Sequence, residues 1–330
     1  MAHFSHELSP NRRGFRQWLS KEEEYQSSLQ RETEFKCWRN YDMEDILRPI
    51  YQERASNRDT LGVLLIEKSK SSLPVTDNQD ALLVVIVKKA EVPLFIKHYH
   101  RHDTTAALYT VTEEQLYDWL TNGSNRRVVD WIFNGQILFD RNEYLETLKK
   151  QLDEFPYHDR YKKIGIEFAK LIRRFIEGKA FFTSGNHLDS FNHMVHALHH
   201  LARLSVLEHG FHPEVTVWSQ VKKLEPEVYK LYEELVESKE GIEKRLELLF
   251  LASEFLLNQR IDLGSKHLLS VMKQKQEPWT FQQLMTEEEI APYSIDLGIV
   301  LDFLVEKELV FIYEEETKGK NIYHRYYTTR

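Results

Sequence analysis

The stretch LGVLLIEKSKSSLPVTDNQDALLVVIV, residues 61–87, decides the fold of the first part of this chain. Two apolar runs, 61–67 and 81–87, lie on either side of a polar loop that contains Ser69 and Asp80. Short apolar runs bounded by polar residues and proline are typical of buried strands. The stretch therefore predicts two strands whose connecting loop carries polar side chains.

Helices and strands alternate on both sides of this stretch. The predicted elements are a helix at 44–55, a hairpin that pairs 93–99 with 106–111 around His102-Asp103, a strand at 136–139 and a helix at 143–152. Thr112 precedes Glu113, Glu114 and Gln115, and its hydroxyl together with the third-position amide predicts a helix N-cap. Residues 43–154 are therefore expected to form a small mixed-sheet α/β module.

The pattern becomes helical after this module. Apolar residues recur at helical spacing, for example at 164, 168, 171, 172 and 175, and predict a bundle of four or five helices over residues 155–276. Residues 277–330 predict a short helix, an acidic linker, a longer helix at 294–306 and two strands joined by a turn at 317–320. That order is typical of a winged helix. The expected fold class is α+β and multidomain: a mixed-sheet α/β module, then an α-helical bundle, then a winged helix.

Charge and composition exclude several classes of function. The net charge of −8 over 330 residues disfavours a polyanion as the main partner, because non-specific nucleic-acid binding depends on an excess of Lys and Arg. The single cysteine, Cys37, cannot form an internal disulfide or a cysteine-based zinc site. The longest apolar run is too short to span a bilayer and the N-terminus lacks an apolar signal core, so we expect a cytoplasmic protein without a membrane partner.

Residues 1–42 show no sustained periodicity. They are charged and aromatic, with the cluster Glu22-Glu23-Glu24 and isolated tryptophans at 18 and 38. We expect this N-terminal extension to be poorly ordered. Met43 begins the cleanly patterned segment MEDILRPIYQERA, which leads to the hypothesis that translation starts there.

The loop of the opening stretch is similar to the active-site framework of the nucleotidyltransferase superfamily, in which one strand ends in Gly-Ser and an acidic pair precedes the next. The resemblance implies that Lys68, Ser69 and Lys70 bind nucleotide phosphates. It also implies that Asp80 and Asn78 hold Mg²⁺ for catalysis, with Asp77 as a further catalytic candidate.

This chain departs from that framework in several places. Lys68 stands where the framework has glycine, Asn78 stands where it has a carboxylate, and the strand at 106–111 contains no third acid. An amide oxygen can bind Mg²⁺, but it brings no negative charge. The alternative interpretation is that Asp77 and Asp80 cap a turn before a buried strand.

Longer segments resemble the YgxA-like nucleotidyltransferase-like proteins of Gram-positive bacteria. They are MEDILRPIYQERAS, PVTDNQD, NGQILFDRNEYL, EFAKLIRRFIEGK, NHMVHALHHLARL and GFHPEVTVW. The resemblance implies a nucleotidyltransferase-like domain, a helical substrate-binding-like domain and a C-terminal helix-turn-helix domain. The implied function is binding of a nucleoside triphosphate with Mg²⁺ and transfer of an NMP group to a small molecule, RNA or protein. The alternative is a catalytically degenerate nucleotide-binding or regulatory pseudoenzyme that acts through its helical and winged-helix domains.

Histidines are dense in one segment of the helical region. His193, His196 and His200 fall on one helical face, at a spacing that also suits zinc or copper, but no cysteine or carboxylate ligand accompanies them. We expect these histidines, together with Lys170 and Arg174, to contact substrate or nucleotide. The alternative interpretation is a solvated basic stripe.

The predicted winged helix raises the question of DNA binding. Its long helix carries Asp296, Asp302 and Glu306 and has no cation before Lys307. Such a surface repels phosphates, although the segment around the turn at 317–320 and the C-terminal tail are basic. The sequence therefore favours an intramolecular or protein-contact role over DNA binding.

Overall fold

The computed structural model describes residues 43–68, 75–154, 157–319 and 321–329. The N-terminal extension and the phosphate-binding candidates Ser69 and Lys70 lie outside the described residues. The chain divides into two compact units, one ending at Arg54 and the other running from Ala55 to Arg330. Helix α1, Met43–Ser56, has acidic residues in its first turn and an arginine in its last turn, as the helix dipole favours.

An α/β domain built on one mixed sheet opens the second unit. Its elements are β1 (Thr60–Glu67), β2 (Ala81–Val87), β3 (Leu94–Arg101), β4 (Thr104–Thr112), α2 (Glu113–Asn122), α3 (Val128–Asn134), β5 (Gln136–Asp140), a 3₁₀ helix (Arg141–Glu143) and α4 (Tyr144–Glu154). Among the described residues, these strands form a sheet in the order β3-β4-β2-β1-β5, in which β2 and β4 are parallel and the other neighbours are antiparallel. All residues of the central strand β2 are buried, which explains its uninterrupted apolar sequence.

Local sequence sets both ends of α2. Thr112 caps its N-terminus, because Thr112 Oγ1 accepts a hydrogen bond from the backbone N–H of Gln115 at 3.3 Å. The Gln115 side chain donates instead to Asp118 at 3.2 Å, so only half of the predicted reciprocal cap forms. Gly123 ends the helix in the left-handed conformation, with a φ of 63° and its N–H bonded to the carbonyl of Trp119.

The helical domain contains more helices than the sequence predicts. Residues 157–272, all of which are described, form six helices: α5 (Tyr157–Thr183), α6 (His187–Glu208), α7 (Val217–Leu224), α8 (Pro226–Glu237), α9 (Ile242–Gln259) and α10 (Ile261–Met272). The prediction of four or five was too low partly because α7 and α8 are distinct. Pro226 has no N–H to continue α7, and it occupies the first turn of a new helix.

A helix-turn-helix domain with a β-hairpin ends the described chain. Its elements are β6 (Trp279–Thr280), α11 (Phe281–Thr286), a 3₁₀ helix (Ala291–Asp296), α12 (Leu297–Glu306), β7 (Phe311–Glu316) and β8 (Tyr323–Thr328). Its three strands pair in the order β6-β8-β7. The apolar core of this domain is continuous with that of the helical domain, whereas the mixed sheet has a separate core. The predicted α+β class is therefore confirmed.

The length and composition of a helix determine whether it can span a bilayer. Across the described ranges, none combines the length and the apolar sequence that a membrane-spanning segment needs.

Candidate functional site

The turn that leads into β2 carries the predicted catalytic residues Asp77, Asn78 and Asp80. Asp77 and Asn78 have left-handed backbone conformations, with φ of 52° and 65°, which Asp and Asn tolerate better than most residues do. Thr76 closes the turn, because its hydroxyl donates to the carbonyl of Gln79 at 2.7 Å. Asp77 therefore lies in a turn, whereas Asp80 lies at the entrance to the strand.

Asp80 is held between the strands on either side of β2. The backbone N–H of Lys68, just after β1, donates to the carbonyl of Asp80 at 2.8 Å, and the N–H of Asp80 donates to the carbonyl of Thr105 at 2.9 Å. The Asp80 carboxylate contacts the same threonine: its Oδ2 accepts from Thr105 N at 2.8 Å and from Thr105 Oγ1 at 3.1 Å. This carboxylate therefore joins the start of β2 to the start of β4.

Lys68 is the only one of the three phosphate-binding candidates within the described residues. Its backbone N–H is already bonded to Asp80. Its side chain is exposed at the end of β1, at the same end of the sheet as the turn. Any contact of Lys68 with a phosphate must therefore come from the ammonium group rather than from the backbone, unlike the glycine of the superfamily framework.

The carboxylate of Asp77 is engaged by two side chains from other elements. Tyr109 on β4 donates its hydroxyl to Asp77 Oδ2 at 2.5 Å, and Arg127, directly before α3, forms an ion pair with Oδ1. Burial raises the pKa of Tyr109, which keeps its hydroxyl a donor at neutral pH. Trp131 contacts both partners, because its ring lies 5.6 Å from the Arg127 guanidinium and meets the Tyr109 ring edge-on at a centroid distance of 5.6 Å.

These contacts determine how well the turn suits Mg²⁺. Metal-dependent nucleotidyltransferases hold Mg²⁺ between carboxylates and substrate phosphates. Here the charge of Asp77 is neutralised by Arg127, and Asp80 uses one carboxylate oxygen on Thr105. Asn78 is exposed and contributes only an uncharged amide. In the part of the chain that the structure describes, no group of three or more His, Cys, Asp or Glu side chains is arranged to hold a metal ion. The donor set therefore does not fit a magnesium ion held by paired carboxylates.

The predicted substrate-binding residues come together on the packed helices α5 and α6. They are Lys170 and Arg174 on α5, and His193, His196 and His200 on α6. Glu167 of α5 accepts a hydrogen bond from His200 Nδ1 at 2.8 Å and lies 3.8 Å from Lys170 Nζ. Glu177 lies 3.8 Å from Arg174 Nη1 and 3.2 Å from His193 Nδ1, the latter without hydrogen-bond geometry. The carboxylates of Glu167 and Glu177 therefore contact four of the five predicted substrate-binding residues.

His196 is the exposed member of this set. Partial burial, followed by the positive charges of Arg174 and His200, lowers its pKa. The His196 imidazole is therefore neutral at neutral pH. The cations around it make this face of α5 and α6 more suitable for an anion than for another cation.

Sequence reasoning missed three cationic residues that extend this face toward the mixed sheet. Arg126, Lys163 and Arg203 line a cavity of about 30 Å³ between the α2–α3 turn and the helices α5 and α6. Arg203 is buried, and its Nε donates to Glu167 Oε1 at 3.0 Å. Arg126 and Arg127 are adjacent in sequence, yet one lines the cavity and the other binds Asp77. In the sequence, the only indication of this cationic wall is the basic pair Arg126-Arg127, and that pair matches no known motif.

The helix that would read DNA in a winged helix has one buried face in this protein. Five residues of α12 are buried, and the Phe303 ring contacts the Phe168 ring of α5 at a centroid distance of 6.3 Å. Arg173 of α5 forms an ion pair with Asp296, and Lys307 Nζ donates to Asn258 Oδ1 of α9 at 3.0 Å. The helix-turn-helix domain therefore uses this helix to pack against the helical domain.

The order of a mixed sheet with an acidic turn, a helical domain and a helix-turn-helix domain defines a nucleotidyltransferase-like protein. Family models agree with each part. Residues 43–160 match a model described as nucleotidyltransferase-like, residues 161–260 a YgxA-like substrate binding domain, and residues 266–329 a helix-turn-helix domain.

Individual relatives extend over nearly the whole chain. Uncharacterized protein YgxA of Bacillus subtilis (strain 168) is 54% identical over 286 residues, which are 87% of this chain and 97% of that protein. The crystal structure of a nucleotidyltransferase-like protein from Exiguobacterium sibiricum 255-15 is 42% identical, with a TM-score of 0.75 over 87% of this chain and 99% of that one. The chain belongs to the YgxA-like nucleotidyltransferase-like family.

Proposed function

We propose that this protein binds a nucleoside triphosphate through its nucleotidyltransferase-like domain and does not transfer the NMP group. The observation that carries the proposal is the state of the two acids at the turn before β2. Asp77 is bound by Arg127 and Tyr109, and Asp80 is bound by Thr105. Both carboxylates act on the protein itself, as structural groups, rather than on a metal ion.

The proposed absence of NMP transfer follows from the negative charge that is needed to hold the catalytic Mg²⁺. In-line displacement at a phosphate needs Mg²⁺ to neutralise the developing charge, and the ion needs carboxylates to hold it. Arg127 brings a fixed positive charge to the position of one such carboxylate, so a second cation there is repelled. The turn thereby carries a neutralised ion pair where a metal-dependent transferase carries a free carboxylate.

Nucleotide binding is supported by the fold and by the distribution of cations. Lys68 is exposed at the end of β1, beside the segment that contains Ser69 and Lys70. Arg127 lies at the turn, and Arg126 leads to the cationic face of α5 and α6. Cations at the end of β1 and directly before α3 suit the phosphates of a nucleotide.

A specific observation favours transfer as the second candidate. Asp80 Oδ1 and the side chain of Asn78 form no hydrogen bond with the described residues, so one carboxylate oxygen and one amide oxygen remain for Mg²⁺. In that case Asp80 and Asn78 hold the metal and the acceptor is a small molecule, RNA or protein.

The helix-turn-helix domain supports an intramolecular role in either case. Because α12 packs one face on α5 and exposes the acidic residues Asp302 and Glu306, the face that it could present to a major groove repels phosphates. We therefore propose that this domain stabilises the helical domain by packing against it. Salt-sensitive binding of the full chain to duplex DNA, lost in a Lys318→Gln/Arg325→Gln variant of the β-hairpin, is the result that would support DNA binding instead.

Thermal unfolding with ATP, GTP, CTP and UTP, each with and without Mg²⁺, tests the proposal. At least one nucleotide should raise the midpoint in a saturable manner, by an amount that corresponds to about 2.7 kcal/mol at a hundredfold excess over the dissociation constant. The shift should not require Mg²⁺. Lys68→Gln should weaken it, and the matched control Lys88→Gln, an exposed lysine just beyond the opposite end of β2, should not. If all four nucleotides leave the midpoint unchanged, the proposal is wrong.

A further inference from the structure

We propose that the outer face of helix α9 is the interface of a homodimer, in which α9 of one copy packs antiparallel against α9 of a second copy. The proposal rests on an exposed apolar stripe along this helix, on the spacing of its members and on the charges beside it. The helix belongs to the helical domain, and the turn at 76–80 belongs to the mixed sheet. The proposed dimer therefore does not depend on nucleotide binding.

Helix α9 is apolar on two opposite faces. The inner face is buried in the core of the helical domain and consists of Leu246, Leu249, Phe250 and Leu257. The outer face carries Leu248, Leu251 and Phe255, which are exposed to 57%, 65% and 63%. A helix that is apolar all round is typical of one that is buried on all sides. The sequence of α9 therefore suits a helix with a further partner on its outer face.

The three exposed apolar residues form one continuous stripe. Leu251 and Phe255 follow Leu248 after three and seven positions, and residues at this spacing lie on one side of a helix. The small residue Ala252 lies beside them. Single exposed apolar residues are common on protein surfaces, whereas a contiguous group of large ones marks an interaction site. We call these three residues the α9 stripe.

The α9 stripe is close to symmetric about its centre. Leu248 and Phe255 lie three and four positions from Leu251, on opposite sides of it. An antiparallel copy related by a twofold axis at Leu251 brings the two Leu251 side chains together. It also sets Leu248 of each copy against Phe255 of the other, with room for the ring above Ala252. A twofold interface requires this kind of self-complementarity, so a second copy fits the stripe.

Charges at the two ends of the stripe complement each other in this arrangement. Glu243 and Glu247 are exposed near the N-terminus of α9. Lys307 Nζ donates to Asn258 Oδ1 at 3.0 Å, which places a cation near the C-terminus of the helix. Antiparallel packing sets Lys307 of one copy beside the two acids of the other, whereas parallel packing sets acid against acid.

Other charged side chains along the outer face already form ion pairs within the chain. Lys244 Nζ lies 3.0 Å from Glu240 Oε2, and Lys179 Nζ lies 3.1 Å from Glu254 Oε2. Each pair is close to neutral, so neither opposes the approach of a second copy. The acids at one end and Lys307 at the other therefore decide the direction of packing.

The length of the helix limits the strength of the dimer. Helix α9 has 18 residues and is therefore about 27 Å long. Specific interfaces bury roughly 800 Å² of each partner, and an interface of one helix from each copy is at the small end of that range. We therefore expect a dimer that forms at micromolar concentration rather than at nanomolar concentration.

Sedimentation velocity of the full chain without nucleotide, over roughly 1–100 µM, tests the interface. Wild-type protein should change from monomer to dimer as its concentration rises. Leu251→Glu and Phe255→Glu should each raise the dissociation constant about a hundredfold or more, because each buries two unpaired charges in the dimer. The matched control is Leu188→Glu on α6, a leucine of the same domain that is 79% exposed, and it should dimerise like wild type. Circular dichroism establishes that each variant is folded.

Charge reversal tests the antiparallel direction. Glu247→Lys and Lys307→Glu should each weaken the dimer, by about threefold to tenfold. The variant that combines both changes should recover the wild-type dissociation constant to within about threefold, because cation and anion exchange places across the interface. If the combined variant is as weak as the two single changes together predict, the antiparallel arrangement is wrong.

Two further results overturn the proposed dimer. One is wild-type protein that remains monomeric at about 100 µM, in which case the α9 stripe is left to a contact with a different protein. The other is a dimer that Leu251→Glu and Phe255→Glu leave intact, since such a dimer uses another surface.

Discussion

The guanidinium of Arg127 lies against the carboxylate of Asp77, and the two residues are 50 positions apart in sequence. The pair joins the turn before β2 to the start of α3. Tyr109 completes the arrangement from β4. A turn that in a metal-dependent transferase presents negative charge to a cation therefore presents a neutralised ion pair.

Removal of this guanidinium should restore metal affinity to the turn. In Arg127→Gln, Asp77 regains its free charge next to Asp80, so Mn²⁺ should bind more tightly than it does to wild type in a calorimetric titration. The cost in unfolding free energy should be at most about 1 kcal/mol, because the ion pair is partly exposed. Arg58→Gln, an exposed arginine before β1, is the control. Equal Mn²⁺ binding by wild type and Arg127→Gln contradicts the assigned role of Arg127.

Asp80 should matter for stability whether or not nucleotide is present. Asp80→Asn weakens two hydrogen bonds to Thr105 and should lower the unfolding free energy by about 1–3 kcal/mol in urea. Thr105→Val removes the hydroxyl but keeps the backbone donor, so it should cost less. A double-mutant cycle should show coupling between the two positions. Additive effects would mean that the Asp80 side chain does not act through the Thr105 hydroxyl.

The buried ion pair between Glu167 and Arg203 should be the most sensitive polar contact of the helical domain. Glu167→Gln leaves a buried guanidinium without its counter-charge and should cost about 3–5 kcal/mol. Glu177→Gln changes the same residue type on the same helix at a partly exposed position, and should cost about 1 kcal/mol or less. Urea unfolding measures both. Similar losses of unfolding free energy in the two variants would mean that the Glu167–Arg203 ion pair contributes no more than a partly exposed one.

Acid should destabilise the protein through its neutral buried histidines. Burial lowers the pKa of both His199 and His212 to about 4. Between pH 4 and the ordinary histidine pKa of about 6.5, the unfolded state binds more protons than the folded state. The free energy of unfolding is therefore highest above about pH 6.5 and falls as the pH is lowered, by up to about 1.4 kcal/mol per pH unit for each histidine. His212→Gln should reduce the slope in this window, and His98→Gln, at an exposed position on β3, should not. An unchanged slope in His212→Gln excludes His212 as a source.

Most elements of the fold could be predicted because their signals are local. The strand predicted at 81–87 matches β2, and the hairpin and the cap at Thr112 lie within a few residues of the predicted positions. Helix α3 was missed because its seven residues are too few to establish a helical period. The short strand β6 exists only through its pairing with β8, which its own sequence does not reveal.

The site was less predictable, because its chemistry depends on residues that are distant in sequence. The sequence identifies Asp77 and Asp80, and it also shows that β4 lacks an acid. It does not show that parallel pairing of β2 with β4 brings Thr105 and Tyr109 to those two carboxylates. Both carboxylates bond to residues outside the turn, and the metal site and the capped turn both stay predictions.

Incubation of the protein with α-labelled nucleoside triphosphate, Mg²⁺ and cell extract tests the central claim most directly. We predict that labelled nucleotide binds reversibly and that no label is transferred to any small molecule, RNA or protein. Transfer of label by wild-type protein that is lost in folded Asp80→Asn would contradict the claim and establish an active nucleotidyltransferase.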